Sequence, residues 1–341
     1  MVDPGGTARL GRSPVSVTRL GLGTAPLGNL FRAVEEREAL ATVARAYELG
    51  LRLFDTAPVY GYGEAERRLG QALASCPADV VVATKVGRLL RSGAPADLTQ
   101  WQAGEPIYKA TPPVNPVFDF SYDGVLRSLG ESLTRLGRDR VDVVHIHDPD
   151  EHYDEALRGA YPALARLRAD GAVGAVSVGM SQSAMLARFA RDADFDCFLL
   201  AGRYTLLDQS GLSELLPLCA ERGIGIIAGG VYNSGILADP RPGATYDYAP
   251  AGTRRLAQAR RLAEVCRRHD VPLGAAAIQF PYGHPAVAAV VVGARSPAEL
   301  EEDVAMLQLP LPPDLWAELR AEGLLGEEVP VPRARQPAPR G

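Results

Sequence analysis

The stretch Asp55-Thr-Ala-Pro-Val-Tyr60-Gly-Tyr-Gly-Glu64 follows an apolar run, Leu51-Arg-Leu-Phe54, that predicts a buried strand. This strand ends on a carboxylate, and a tyrosine comes five residues later in a glycine-rich turn. Two further apolar runs end in a similar way, one on Lys85 and the other on His147. Parallel strands that each finish on an ionisable residue predict one site at the carboxyl edge of a barrel.

Apolar, β-branched runs alternate with helix-period segments along the chain, which favours a (β/α)8 TIM barrel over an open sheet. The predicted strands cover residues 19–23, 51–54, 80–84, 141–147, 172–179, 197–200, 224–228 and 287–293. The predicted helices cover residues 35–49, 64–74, 122–136, 154–169, 182–190, 211–222, 254–268, 297–307 and 314–322. We expect residues 8–325 to form this single domain and residues 326–341, which are rich in Pro and Arg, to form a flexible tail.

Two kinds of addition to the barrel are predicted. Residues 8–17 alternate like a short β-hairpin around a glycine, and we expect this hairpin to plug the amino-terminal mouth. Two long connections, 87–117 and 237–252, both follow strands, so they should lie on the carboxyl side with the ionisable residues. Long loops in compact domains are uncommon unless they are functional or disordered, and we interpret these two as substrate-side loops.

The composition excludes several classes of protein. Apolar residues make up 47% and charged residues 23% of the 341, which is typical of a globular protein, and the net charge of −5 gives no reason to expect nucleic acid. No apolar stretch approaches the roughly 20 residues that span a bilayer, and the start lacks a secretory signal. The four cysteines lack metal-like spacing. We expect a cytoplasmic protein without a metal, a monomer or weak homo-oligomer, that acts on a small molecule and binds neither nucleic acid nor membrane.

The four strand-end and turn residues suit proton transfer at a carbonyl or an alcohol. A tyrosine has an unperturbed pKa of about 10, which is too high for efficient proton transfer at neutral pH, but a nearby ammonium favours the phenolate and lowers this pKa. In this hypothesis Tyr60 is the acid or base, Lys85 lowers its pKa, Asp55 holds Lys85, and His147 positions the substrate oxygen. No nucleophile or metal set is evident in the sequence, so a cofactor must supply the difficult step, and hydride transfer with a nicotinamide is the natural candidate.

Taken singly, each of these residues is most often an ordinary loop residue, so the signal lies in their joint placement. His145 lies two residues before His147 and faces the same side one layer deeper, where we expect a hydrogen-bonded core residue. Asp148 directly follows His147. It is either a contact for a polar substrate or a plain loop acid.

Several pieces of the chain match a known superfamily. They are Gly21-Leu-Gly-Thr24, Phe54-Asp-Thr-Ala-Pro-Val-Tyr-Gly-Tyr-Gly-Glu64, Thr84-Lys85, Ile146-His147-Asp-Pro, Val178-Gly-Met-Ser181 and Val292-Gly-Ala-Arg-Ser296. On these pieces the chain resembles the aldo-keto reductase superfamily over residues 16–303. The resemblance implies a catalytic tetrad of Asp55, Tyr60, Lys85 and His147.

Four further pieces resemble the aldose 1-dehydrogenase branch, namely Lys85-Val-Gly-Arg-Leu-Leu90, Val117-Phe-Asp-Phe-Ser-Tyr-Asp-Gly124, His147-Asp-Pro-Asp150 and Tyr232-Asn-Ser-Gly-Ile-Leu237. This branch includes L-fucose, L-galactose and D-threo-aldose dehydrogenases, with pyridoxal dehydrogenase nearby. The resemblance implies an NAD(P)-dependent oxidoreductase that oxidises a free aldose at C1 to the lactone, with Trp101, Phe118 and Asp148 as candidate substrate-binding residues. Two alternatives stay open: a carbonyl reductase that uses the same tetrad in reverse, and a cofactor-binding regulatory subunit without turnover.

The resemblance also implies an extended dinucleotide across the barrel mouth, with phosphate sites in the loops after the last two strands. The implied cofactor residues are Gly23, Thr24, Ser181, Gln182, Gly230, Val231, Tyr232, Asn233, Ser234, Gly293, Ala294, Arg295, Ser296, Glu299, Glu302 and Asp303. Three positions depart from the family pattern: Gln182 replaces a common Asn, Ala201 a Gln, and Gly229 an aromatic residue that stacks on the nicotinamide.

Charge near the expected adenosine end favours NAD over NADP. Glu299 stands where NADP-preferring members of the superfamily often carry Arg, and Glu302 and Asp303 add negative charge. These carboxylates would repel a 2′-phosphate and could accept a hydrogen bond from a free 2′-hydroxyl. Arg295 is the main counterargument.

Overall fold

The computed structural model describes residues 2–77 and 79–332. Within these residues eight parallel strands form a closed barrel in which each strand pairs with the next and the last pairs with the first. The strands are β1 (Leu20–Gly23), β2 (Leu53–Asp55), β3 (Val81–Val86), β4 (Val143–His147), β5 (Ala175–Met180), β6 (Cys197–Ala201), β7 (Gly225–Gly229) and β8 (Val287–Gly293). The predicted TIM barrel is therefore confirmed, with every strand at or close to its predicted position.

An outer layer of helices covers the barrel. They are α1 (Glu36–Glu48), α2 (Glu64–Leu73), α3 (Tyr122–Leu136), α4 (Tyr161–Ala169), α5 (Ser183–Asp192), α6 (Leu215–Arg222), α7 (Thr253–Arg268), α8 (Leu273–Gln279), α9 (Pro297–Gln308) and α10 (Pro313–Ala321). Helix α3 shows why these segments are helical: Ser121 caps its first turn by accepting from the backbone of Gly124 at 3.0 Å, and Gly137 ends it in the left-handed conformation. Its buried face, which includes Val125 and Leu129, packs towards the barrel.

Helix α8 was not among the predicted helices. All of its residues are buried, so its sequence has no alternation of polar and apolar faces to reveal a helical period. The predicted helix 154–169 is divided into a short turn Tyr153–Glu155, a π-helical turn Ala156–Ala160 and α4. Periodicity alone does not report such local changes of hydrogen bonding.

The predicted amino-terminal hairpin is present as two antiparallel strands, Thr7–Arg9 and Ser16–Thr18. Its side chains Leu10, Val15 and Val17 are buried in the same cluster as interior barrel residues such as Leu53. The hairpin therefore closes one end of the barrel with apolar side chains, as expected, and leaves the carboxyl edge of the strands for the site.

The two long connections contain short pieces of sheet. In the first, Arg88–Arg91 pairs with Asn115–Phe118, and Trp101–Gln102 pairs with Glu105–Pro106; in the second, Thr245–Tyr246 pairs with Ala249–Pro250. Both connections contribute side chains to the cavity at the carboxyl edge, which confirms the long substrate-side loops. Short 3-10 turns occur at Pro26–Gly28, Leu98–Gln100, Ser210–Leu212, Asn233–Gly235 and Phe280–Gly283.

The chain after α10 continues along the barrel. Val329 is buried and its carbonyl accepts from Arg320 at 2.8 Å, while the carbonyl of Pro330 accepts from the Tyr204 hydroxyl at 3.3 Å. These contacts extend the packed chain beyond residue 325, where we expected the barrel domain to end. The rest of the predicted tail, 333–341, lies outside the described residues. In the described part of the chain, no helix combines the length and apolar character needed to cross a membrane.

Candidate active site

Three adjacent strands bring the predicted acid–base residues to one place. Asp55 is the last residue of β2, Lys85 the penultimate residue of β3, and His147 the last residue of β4. Because β3 pairs with both β2 and β4 in parallel register, the three side chains meet at the carboxyl edge of the barrel. Tyr60 reaches the same point from the turn that follows β2.

Glycines allow the Tyr60 turn to lie tightly on a neighbouring segment. Gly61 has φ +63°, a left-handed conformation that suits glycine, and a side chain there would collide with the backbone of Gly28. A side chain at Gly28 would likewise collide with the backbone of Tyr60. The glycine-rich motif therefore fixes where the phenol is held, rather than making the turn mobile.

The buried ammonium of Lys85 connects Asp55 with Tyr60. Its Nζ donates to Asp55 Oδ1 at 2.5 Å and to the carbonyl of Thr56 at 2.8 Å, and it lies 4.7 Å from the centroid of the Tyr60 ring. The Lys85 side chain is 1% exposed and that of Asp55 is 5% exposed. Burial alone would raise the pKa of Asp55, but the Lys85 charge and the neighbouring His145 hold it below its usual value.

His145 is fully buried behind this pair, as expected for a core residue. Its Nε2 lies 3.3 Å from Asp55 Oδ2, and its Nδ1 lies 2.7 Å from the Ser177 hydroxyl. Burial lowers the pKa of His145 despite the nearby Asp55 charge, so the ring is neutral at neutral pH and carries one N–H. Nδ1 is hydrogen-bonded to Ser177, whereas Nε2 and Asp55 Oδ2 approach each other without hydrogen-bond geometry. Ser177, His145, Asp55 and Lys85 are thus buried side by side, with hydrogen bonds within the Ser177–His145 pair and the Asp55–Lys85 pair.

We expected Lys85 to give Tyr60 a lowered pKa, but the net pKa of Tyr60 is raised, so this prediction is wrong. Burial raises the pKa of the phenol well above its usual value, and the Asp55 charge adds to this. Burial is the larger cause, and the Lys85 ammonium that was expected to lower this pKa is paired with Asp55 at 2.5 Å. Tyr60 is therefore a protonated phenol at neutral pH.

His147 stands beside the phenol and beside a second carboxylate. The rings of Tyr60 and His147 meet edge to face with centroids 5.8 Å apart, and His147 Nε2 lies 3.4 Å from Asp148 Oδ2. Burial, together with the charges of Arg88 and Lys85, lowers the pKa of His147 well below its usual value. Burial raises the pKa of Asp148 to about 6, although Arg88 opposes this. His147 is thus a neutral imidazole that can orient an oxygen.

A cavity of ≈ 500 Å³ opens above these residues, a volume that suits a small ligand. Of the candidate substrate residues, Phe118 and Asp148 line it, whereas Trp101 does not. Trp101 is 40% exposed at the start of its short strand, and its neighbours Thr99 and Gln100 line the cavity instead. The cavity also has lining residues that sequence reasoning did not select, among them Arg88, Gln100, Tyr108, Met180, Leu199 and Tyr248. Arg88 lies within the quoted Lys85-Val-Gly-Arg motif, which could have drawn attention to it.

Most of the residues predicted to bind the cofactor lie at the carboxyl ends of β1, β5, β7 and β8. Gly23 and Thr24 follow β1, Ser181 and Gln182 follow β5, Gly230 to Ser234 follow β7, and Gly293 to Ser296 end or follow β8. Ser181 and Gln182 line the cavity together with Ala201. A Cβ atom added at Gly229 would meet only Leu199, at the ordinary contact distance of 3.5 Å, so the backbone here is not crowded.

The polar atoms in this half of the edge fit an extended dinucleotide. The buried Thr24 Oγ1 and Arg295 Nε have no hydrogen-bond partner within residues 2–77 and 79–332, so both can bond to a ligand. The loop at Asn233 and Ser234 has positive φ at both residues and thus turns sharply. Such turns present backbone N–H groups to a phosphate. The residues present are therefore compatible with NAD(P).

Some of the expected cofactor side chains are already bonded within the protein. Asn233 is buried, where its Oδ1 accepts from Thr205 at 2.6 Å and its Nδ2 donates to Gly202. Asp303 accepts from the Tyr232 hydroxyl at 2.6 Å, and burial raises its pKa to about 7. It therefore adds less negative charge than its sequence position suggested.

The other carboxylates are partly neutralised or exposed. Glu299 accepts from the backbone of Arg295 at 2.8 Å and lies 3.7 Å from the Arg32 guanidinium, whereas Glu302 is exposed. Ser296 caps α9, accepting from the backbone of Glu299 at 3.3 Å. Gly293 is exposed, while Val231 and Ala294 are buried, so of these three predicted cofactor residues only Gly293 presents surface to a ligand.

Comparison with known proteins gives a consistent result. The model of the Aldo/keto reductase family matches residues 19–322. The chain is 41% identical to pyridoxal 4-dehydrogenase from Microbacterium luteolum, with 93% of this chain and 97% of the relative covered. It is 43% identical to D-threo-aldose 1-dehydrogenase from a Pseudomonas species, with 93% and 96% covered. An aldo-keto reductase from Bacillus halodurans in its holo form has the same fold, with a TM-score of 0.71 at 24% identity over 93% of this chain and 95% of that one.

Proposed function

The chain belongs to the Aldo/keto reductase family and is an NAD(P)-dependent oxidoreductase, and on this premise we propose that it oxidises a free aldose at C1 to the lactone. The observation that carries the proposal is the polar wall beside His147, where Arg88, Asp148 and Gln100 line the cavity. Such groups pair with the several hydroxyls of a sugar, whereas a simple aldehyde would leave them without partners. The relative named D-threo-aldose 1-dehydrogenase supports the same substrate class.

We assign the chemical roles to the chain's own residues as follows. Bound NAD(P) supplies the hydride acceptor. Tyr60 exchanges the proton of the C1 hydroxyl, His147 orients that oxygen, Lys85 holds the phenol from its ring face, and Asp55 holds Lys85. Because burial raises the pKa of Tyr60, little phenolate is present at neutral pH, so we expect the rate of oxidation to rise with pH into the alkaline range.

The raised pKa of Tyr60 also favours a second candidate function. A phenol that is protonated at neutral pH is ready to donate a proton to a carbonyl oxygen, so the tetrad also suits the reduction of an aldehyde or ketone with NAD(P)H. The polar wall of Arg88, Asp148 and Gln100 favours aldose oxidation, whereas the protonated phenol favours carbonyl reduction.

A substrate screen distinguishes the candidates. We would follow NADH and NADPH absorbance with L-fucose, D-arabinose, L-galactose and pyridoxal in the oxidative direction, and with glyceraldehyde, propanal and benzaldehyde in the reductive direction. Highest kcat/KM with a free aldose supports the proposal. Highest kcat/KM with a simple aldehyde supports the second candidate, and absence of turnover with every compound, despite dinucleotide binding, indicates a regulatory subunit.

We further propose that NAD is preferred over NADP. Glu299 and the exposed Glu302 disfavour a 2′-phosphate, and Arg32 lies close enough to Glu299 to offset part of that charge. The test is the ratio of kcat/KM for the two cofactors, in the wild type and in Glu299→Arg. A ratio in favour of NAD that falls by about tenfold in the variant supports the proposal, and wild-type preference for NADP overturns it.

A further inference from the structure

Arg88 has an unusual environment for a buried charge. It is the first residue of the strand Arg88–Arg91, its side chain is 5% exposed, and its guanidinium lies over the Phe118 ring at 4.8 Å. Its single polar contact with another side chain in the described part of the chain is Nη2 to Asp148 Oδ2 at 3.3 Å, and its Nε and Nη1 have no partner there. A guanidinium carries five N–H donors, and buried donors without partners are costly. Arg88 is therefore incompletely satisfied by the protein itself.

Asp148 is held in a strained conformation next to this arginine. Its φ of +41° lies in the left-handed region, which residues other than glycine seldom adopt. Its backbone N–H donates to the carbonyl of Gly179 at 3.0 Å, and this bond to the neighbouring strand maintains the conformation. Strain of this kind is found mainly where a side chain must be aimed at a ligand. Here it directs the carboxylate towards both His147 and Arg88.

One oxygen of Asp148 connects these two residues. Asp148 Oδ2 lies 3.4 Å from His147 Nε2 and 3.3 Å from Arg88 Nη2. Both distances are long for charge-assisted hydrogen bonds, which are about 2.7–2.9 Å when well formed. All three residues line the cavity. The contacts that join Arg88, Asp148 and His147 are therefore weak, and they lie on the side of the cavity that faces a substrate.

We propose that Arg88 and Asp148 form a clamp for a hydroxyl on the carbon next to the reacting carbon. This inference rests on the proposed function, in which the reacting oxygen lies between Tyr60 and His147. Asp148 Oδ2 lies 3.4 Å from His147 Nε2 and lines the same cavity, so the next oxygen along the substrate comes within reach of its carboxylate.

A hydroxyl has one donor and two acceptor positions, so it can donate to Asp148 and accept from Arg88 at the same time. A carboxylate or phosphate at this position would meet the Asp148 charge and is disfavoured. The substrate class is thus α-hydroxy aldehydes and their cyclic hemiacetals.

The test compares a sugar with the same sugar lacking that hydroxyl. D-arabinose and 2-deoxy-D-ribose form such a pair, because 2-deoxy-D-ribose is D-arabinose without the hydroxyl at C2. We expect kcat/KM of the wild type to be about 10- to 100-fold higher with D-arabinose, the range for a hydrogen bond to a charged group. In Arg88→Met and Asp148→Asn this ratio should fall to within a few-fold of one, mainly through loss of activity on D-arabinose.

Arg91→Met is the matched control. Arg91 lies on the same short strand, but it pairs with Glu131 at 3.0 Å and does not line the cavity, so the ratio should stay at the wild-type value. Arg88→Lys keeps the charge and removes the planar donor set, and it should give an intermediate ratio. Thermal unfolding followed by circular dichroism identifies any variant that fails to fold, and the remaining variants then decide the question.

The results with these sugars also distinguish failure of the clamp from failure of the proposed aldose oxidation. If the wild type oxidises another aldose of the screen but neither of these sugars, the clamp is measured with that aldose and its 2-deoxy form. If it oxidises none of the aldoses, aldose oxidation is overturned, and the clamp is then measured in reduction with NADH on lactaldehyde against propanal, which differs only by the neighbouring hydroxyl. Two results overturn the clamp. One is a wild-type kcat/KM ratio near one for the pair of compounds that the enzyme turns over. The other is a ratio that Arg88→Met and Asp148→Asn leave unchanged.

Discussion

The two carboxylates beside the tetrad have opposite surroundings. Asp55 is 5% exposed and accepts from Lys85 at 2.5 Å, with His145 at 3.3 Å on its other oxygen. Asp148 is 37% exposed, and its contacts to His147 and Arg88 are long. The environment lowers the pKa of Asp55 and raises that of Asp148 to about 6. The same side chain is thus stabilised as an anion at one position and destabilised at the other.

This difference separates two tasks in one cavity. Asp55 is held by the short bond from Lys85, which also donates to the carbonyl of Thr56, so this pair can hold Tyr60 in place whether or not a substrate is bound. The Asp148 side is incomplete and strained, which is the condition expected where a ligand supplies the missing partners. The comparison predicts that changes on the Asp55 side alter the chemistry or the fold, whereas changes on the Asp148 side alter the choice of substrate.

The largest effect is expected from Tyr60→Phe, which removes the proton that the site exchanges. We expect kcat to fall by about 10²–10⁴-fold while dinucleotide binding, measured by fluorescence titration with NADH, stays nearly unchanged. Tyr62→Phe is the control, because Tyr62 lies in the same turn but outside the cavity lining. Full activity of Tyr60→Phe would show that the phenol has no part in the reaction.

Lys85→Met should give the largest loss of stability, since it leaves Asp55 buried without its cation. We expect the free energy of unfolding to fall by about 3–5 kcal/mol. The surface variant Lys109→Met, which breaks an exposed pair with Glu105, should cost less than about 1 kcal/mol. Urea denaturation measures both.

A second variant tests whether the unpaired charge is the cause. Adding Asp55→Asn to Lys85→Met removes that charge, so the double variant should be more stable than Lys85→Met alone. If the double variant were the less stable of the two, the Asp55–Lys85 pair would not be the source of the loss.

Much of the fold could be predicted because the barrel strands are buried on both faces and therefore appear as short apolar runs. The run before Asp55 and the run 287–293 illustrate this, and the latter matches β8 residue for residue. Helix α8 escaped prediction for the related reason that a helix buried all round has no polar face. Strand-end residues such as Lys85 could be placed together because parallel strands share a carboxyl edge.

The electrostatics of the site could not be predicted from the same pattern. The sequence places an ammonium near Tyr60, but it does not reveal that Asp55 takes up that charge or how deeply the phenol is buried. Arg88 was missed because it belongs to a loop strand whose approach to Asp148 depends on how 88–118 folds over the barrel. Trp101 was selected for its size in a long loop, and the structure turns it towards solvent.

Asp148→Asn should change the way in which stability depends on pH. Because the folded-state pKa of Asp148 is about 6 and its unfolded value is about 4, the folded state binds the extra proton between these pH values, and the charged carboxylate costs stability above them. As the pH rises from 4 to 7.5, the wild type should therefore lose stability relative to the variant, whatever the cost of leaving Arg88 without its carboxylate partner. Melting temperatures of both proteins across this range measure the difference, and a difference that does not change with pH in this direction contradicts the prediction.

The smallest effect is expected from Ser177→Ala, on the far side of His145 from Asp55. The substitution removes the hydroxyl that lies 2.7 Å from His145 Nδ1 and leaves this buried nitrogen without its partner, which should cost about 1–3 kcal/mol. Because His145 is then held less firmly beside Asp55, we expect kcat to fall only a few-fold with KM for the sugar unchanged. Ser132→Ala is the control, since Ser132 is also buried but its hydroxyl accepts from Arg135 on α3, away from the cavity. A rise in KM with unchanged kcat would place Ser177 on the substrate side of the comparison and contradict the division between the two carboxylates.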